Sequence, residues 1–129
     1  MAASAYDEER LGELLGGDEG AALVAGASDF LVKYFGMRNM GGNKGMGFLT
    51  DEEEGWGFVL TLMKASKGVQ SKYPGNFHIG FFLGGKETVD EIHRRLKADG
   101  FDVPAPEDTG HSYGFYVQAP GGFTVEVGA

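Results

Sequence analysis

The chain repeats itself, and that repeat limits its folds more than any other feature. Residues 46–62 read MGFLTDEEEGWGFVLTL and residues 113–127 read YGFYVQAPGGFTVEV. Each is a Gly-Phe strand start, a short turn and a second Gly-Phe segment. Each follows a helix-like stretch that stops at glycine, ASDFLVKYFG at 27–36 and TVDEIHRRLKADG at 88–100. A helix-strand-strand unit used twice is read as one small module in two copies, neither of which buries its apolar face alone. Module one spans about 9–64, the polar stretch 65–75 links, and module two spans 76–128, all within a single domain of 129 residues.

Module two reads more clearly. In NFHIGFFL, residues 76–83, Phe77, Ile79 and Phe81 point one way while Asn76, His78, Gly80 and Phe82 point the other. Thr88 is the expected helix cap, with Glu91 completing a capping box. Val89, Ile92, His93 and Leu96 form the inner stripe, and Gly100 stops the helix. Two prolines in 101–109 predict an edge segment. Strands follow at 111–118 and 123–128, the last with Phe123, Val125 and Val127 opposite Thr124 and Glu126.

In module one, Leu23, Ala27, Phe30, Leu31 and Tyr34 form the helical stripe, and Asp18 is a plausible cap. Residues 37–45 read as a loop or weak strand, 45–50 and 56–64 as strands, and 51–55 as a charged turn. The opening strand is uncertain. Residues 9–17, ERLGELLGG, echo FLGG of module two but read equally well as a helical turn.

Composition narrows the function. A net charge of −8 disfavours nucleic acid as a partner and suits cationic ligands. No apolar run approaches the roughly 18 residues that a membrane span needs, and the first residues lack the pattern of a signal peptide. The absence of cysteine fits a cytoplasmic protein and excludes thiolate chemistry. Many of the 23 glycines fall in or beside strands, which predicts bulges or backbone lying close to a ligand.

His78 and Glu126 are expected on the faces turned away from the helices. An imidazole with a carboxylate suits one divalent zinc, nickel, manganese or iron ion, although two ligands alone hold it weakly. The plain alternative is a His–Glu hydrogen bond without metal or any cofactor. His111 is a candidate at a cleft mouth. Trp56, Tyr113 and Phe115 are candidates for stacking an aromatic ligand, with Phe48, Phe58 and Tyr116 behind them.

FHIGFF, TVDEIHRRLKADGFDV and GHSYGFYVQAPGGFTVEV together resemble the second module of the vicinal oxygen chelate superfamily of glyoxalases, bleomycin-resistance proteins and extradiol dioxygenases. ASDFLVKYFGMR resembles the helix of its first module. The resemblance covers about residues 27–128. It implies an α+β fold of two βαβββ modules with sheets curled into a cup, a homodimer, and metal ligands on the first and last strands of each module. His78 and Glu126 match those positions. Arg10 and Thr61 stand where module one would supply its ligands, so Glu9, Glu13 or no residue is the third. Two functions follow: a small-molecule-binding protein that sequesters a cationic or aromatic ligand, or a metal-dependent lyase, isomerase, dioxygenase or thiol transferase.

Overall fold

The computed structural model describes residues 19–52, 57–65 and 72–129. The fold is α+β, and the described residues form two helices and two open sheets. The chain divides into two compact units, with the boundary between Lys72 and Tyr73.

In the first unit, helix α1 runs Glu19–Phe35 and is followed by strands β1 (Arg38–Asn43), β2 (Met46–Thr50) and β3 (Leu60–Met63). Alanines at 21, 22, 25 and 27 favour the helix through propensity alone. Gly36, at φ +66°, ends it: its N–H returns to the Val32 carbonyl at 3.1 Å. The strands form an antiparallel sheet in the order β1-β2-β3. Phe30, Leu31 and Leu49 are fully buried where α1 meets the sheet. The glycine-rich stretch read as a loop or weak strand is a strand, β1. It lies exposed at the sheet edge with a bulge between Asn39 and Gly41. The strand expected from residue 56 is seen only over Leu60–Met63. The uncertain segment 9–17 and Asp18 lie outside the described residues.

In the second unit, β4 (His78–Phe82) leads into helix α2 (Lys86–Ala98), then β5 (Glu107–Asp108), β6 (Tyr113–Gln118) and β7 (Thr124–Gly128). The sheet order is β4-β7-β6-β5, with β4 parallel to β7 and the other pairs antiparallel. This is the βαβββ arrangement. β5, after the prolines, takes the edge.

The helix start differs from the capping-box expectation. Gly85 is the N-cap, no side chain caps the helix, and Thr88 already lies inside it. The Thr88 and Val89 N–H groups both reach back to the Gly85 carbonyl, at 3.2 and 3.4 Å. Glu91 turns to Arg94 instead, a charge-assisted pair that the capping reading ignored. The helix ends as expected at Gly100, φ +94°, with Phe101 N–H bonded to the Leu96 carbonyl and Gly100 N–H to that of Lys97. Val89 and Leu96 of α2 are fully buried, as are Val125 and Val127 of β7. Burying each such side chain is worth about 1.5–3 kcal/mol. That packing fixes which sheet face meets the helix and leaves the opposite face open.

Candidate functional site

Strand alternation builds the open face of the second unit. On β7, Val125 and Val127 go inward, so Thr124 and Glu126 go outward. On β6, Phe115 and Val117 go inward, so Tyr116 and Gln118 go outward. Register then aligns three strands. His78 stands opposite Thr124, Gly80 opposite Glu126, and Tyr116 opposite Glu126 from the other side.

Three side chains converge on that face. His78 Nε2 lies 3.3 Å from Glu126 Oε1, and the Tyr116 hydroxyl donates to Glu126 Oε2 at 3.2 Å. The His78 and Tyr116 rings meet edge to face, with centroids 5.6 Å apart. The imidazole is 40% exposed and the carboxylate 19%. A hollow of about 390 Å³ opens beside them, lined by Gly75, Asn76, Phe77, His78, Tyr116 and Thr124.

The imidazole orientation decides what the pair can do. His78 Nδ1 lies 3.1 Å from the Asn76 backbone carbonyl, which only accepts. Nδ1 therefore carries the hydrogen in that bond, and Nε2 faces the carboxylate. Nε2 either bears a second proton, giving an imidazolium–carboxylate pair, or presents a lone pair beside the carboxylate. The second state is a two-donor seat for a cation, with the backbone carbonyl fixing the ring as an outer-shell partner does. Two ligand atoms about 2.0–2.1 Å from a tetrahedral ion stand about 3.3–3.4 Å apart. The observed separation fits that seat and equally fits a direct hydrogen bond.

Electrostatics follow from the same contacts. The Glu126 carboxylate accepts the Tyr116 proton and so holds that phenol above its ordinary value. Tyr113 is raised too, by its hydrogen bond to Asp90. Among the described residues, no group of three or more His, Cys, Asp or Glu side chains gathers to hold a metal ion.

The other candidates fall elsewhere. Phe115 is 4% exposed and packs edge-on against His93, on the helix side of the sheet. Tyr113 shares that side, bonded to Asp90 and lying under the Lys86 ammonium, 5.2 Å from its ring centroid. Neither shares the face of His78 and Glu126. His111 is exposed in the β5–β6 connection. Trp56, Glu9 and Glu13 lie outside the described residues. Tyr116, a lesser candidate than Tyr113 in the sequence, is the tyrosine that reaches the pair. Strand parity relative to Phe115 and Val117 was the signal that identifies it.

In the first unit, a hollow of about 420 Å³ lies between α1 and the β1–β2 hairpin, with Ser28, Asp29, Asn39 and Lys44 among its lining residues. It contains no histidine.

Comparison with known proteins agrees with this fold. The family model described as "Glyoxalase/Bleomycin resistance protein/Dioxygenase superfamily" matches residues 23–127. A structure of a "possible Glyoxalase" from Bacillus cereus is 47% identical, covering 82% of this chain and 88% of that one, with a TM-score of 0.71. Lactoylglutathione lyase from Agrobacterium tumefaciens is 22% identical over 81% of this chain and 84% of that one, with a TM-score of 0.60. The fosfomycin resistance protein from Mesorhizobium loti is 16% identical over 81% and 80%, with a TM-score of 0.59. The last two show likeness of fold alone. No curated protein matches the chain. No helix among the described residues is long and apolar enough to cross a membrane.

Proposed function

The chain belongs to the glyoxalase/bleomycin resistance protein/dioxygenase superfamily, and from that premise we propose that it binds a small molecule at a divalent metal held by His78 and Glu126. The observation that carries this reading is the imidazole with Nδ1 tied to a backbone carbonyl and Nε2 turned to the Glu126 carboxylate at 3.3 Å. The pair is half of a coordination shell. A further ligand would be needed to complete it.

The ion would supply a Lewis acid that polarises a substrate oxygen, as in a lyase, isomerase, dioxygenase or thiol transferase. The chain's own residues do the rest. Asn76 fixes the tautomer and ring angle of His78. Tyr116 orients Glu126 through a hydroxyl oxygen 3.2 Å from its Oε2 and holds a proton within reach of a ligand in the adjoining hollow.

A second reading is sequestration of a cationic or aromatic ligand without metal. The exposed ring of Tyr116 beside the Glu126 carboxylate favours it.

Calorimetric titration with nickel, zinc, manganese and iron(II) tests the first reading. Binding of about one ion per chain is expected, weakened about 100-fold or more by Glu126→Gln and by His78→Ala. An absence of binding to wild-type protein rejects the metal reading and leaves sequestration.

A further inference from the structure

A glycine floor adjoins Glu126 on the open face of the second unit. Gly80 stands opposite Glu126, and Gly114 stands opposite Gly128. Gly80 and Gly128 share the parity of His78 and Glu126, so the sheet carries no side chain at either. One ring lies on that floor. A β-carbon at Gly80 would stand 3.2 Å from Phe82 Cε2, and one at Gly128 would stand 3.1 Å from Phe82 Cε1. The Phe82 ring therefore rests on backbone at both glycines. It is also 67% exposed, so its other side is bare. Its neighbour is the site itself, because the same β-carbon at Gly80 would stand 3.4 Å from Glu126 Oε1.

A lone exposed phenylalanine is ordinary. This one is held down on two glycines beside the one carboxylate that joins both His78 and Tyr116. Glycine in a strand interior weakens the strand and marks close approach of a ligand or of other backbone. Here Gly80 and the strand-end Gly128 lie together under one ring.

We propose that Phe82, on the floor of Gly80 and Gly128, is a stacking platform for a planar aromatic group whose polar end reaches Glu126 and His78. This rests on the small-molecule reading of the same face and names the ligand class as aryl compounds with an oxygen-donor or cationic head. Phe82 is a specificity-determining residue. It supplies area and geometry, while Glu126 and His78 supply charge.

The test uses two probe pairs on the full chain. Benzohydroxamate and acetohydroxamate differ only in phenyl against methyl and present the same two oxygens to a bound metal. Benzamidinium and acetamidinium differ in the same way and present a cation to Glu126 in metal-free protein. Affinities are read by calorimetry and by amide shifts of residues 78–82 and 124–128. The phenyl probe of at least one pair is expected to bind about five- to tenfold more tightly than its methyl partner. Phe82→Ala should erase that preference and leave the methyl probe and metal uptake unchanged. Phe82→Tyr should keep it.

Failure of metal uptake removes the hydroxamate arm and the metal reading, while the amidinium arm still decides the platform. Equal binding of phenyl and methyl probes in both arms overturns the proposal. So does a Phe82→Ala protein that melts lower yet keeps the phenyl preference, since the ring would then only cover its glycines.

Discussion

Strands β2 and β6 carry the same Gly-Phe pair, and the two units use it in opposite ways. In β2, Gly47 turns toward the helix, where a β-carbon would stand 2.9 Å from Ser28 Oγ, and Phe48 pairs across with Thr61. In β6, Phe115 turns toward the helix and Gly114 shares the open-face parity. The true counterpart of Phe48 is thus Tyr116, which pairs across with Glu126 as Phe48 does with Thr61. A one-residue slip flips every side chain. The echo locates the module correctly and misassigns its faces. The consequence is chemical: the open face of the second unit gains a phenol and an acid where the first has a phenyl ring and a hydroxyl.

The cores give the largest effects and test whether the two units stand on equal footing. Leu31 of α1 and Leu96 of α2 are each fully buried. Leu31→Ala and Leu96→Ala should each cost about 2–5 kcal/mol in urea unfolding. Similar losses support two equivalent supports for the sheets. A loss confined to one variant would show that only one helix carries stability.

How much was legible follows from where side-chain burial alone decides. The stripe of Val89, Ile92 and Leu96, and the alternation Phe123, Val125, Val127 against Thr124, Glu126, put His78 and Glu126 on one face. The structure brings the two within 3.3 Å. Their geometry beyond that was not legible, because the bond from His78 to the Asn76 carbonyl depends on the turn before β4. In that turn Phe77 N–H bonds the Pro74 carbonyl. The helix starts before Thr88 because Ser/Thr-x-x-Glu is only a local signal. The chain already has extended backbone at Gly85 and begins the helix there. β1 was obscure because its glycines and asparagines carry no alternating apolar pattern. Its pairing with β2 holds it instead.

The two glycines that the echo equates should respond differently, which sharpens the comparison. An added methyl at Gly47 meets the end of a serine side chain that can turn away. An added methyl at Gly114 would stand 2.0 Å from the Val127 backbone oxygen, which cannot move without breaking the β6–β7 ladder. Overpacking costs about 1–3 kcal/mol. Gly47→Ala should fall at the low end and be relieved by Ser28→Ala. Gly114→Ala should fall at the high end with no such rescue. Chemical denaturation of the four proteins decides, and equal costs would contradict the contacts assigned to the two glycines.

The smallest effect isolates what the second unit adds. The Tyr116 phenol is held above its ordinary value of 10.0 chiefly because its proton is donated to Glu126, and the carboxylate charge also opposes forming a phenolate beside it. A raised folded value means that this contribution to stability is present below the ordinary phenol range and is lost as pH rises through the raised value. The window is therefore alkaline, and neutral pH leaves the contact intact. Glu126→Gln removes the charge and weakens the acceptor, so the Tyr116 titration should move down toward the ordinary value. Tyr113, raised by Asp90 on the other side of the sheet, should stay where it is. NMR titration of ring-labelled tyrosine separates the two. If both tyrosines moved together, the change would be a loosening of the whole sheet, and the contact between Tyr116 and Glu126 would lose its claim to set the open face apart from the helix side.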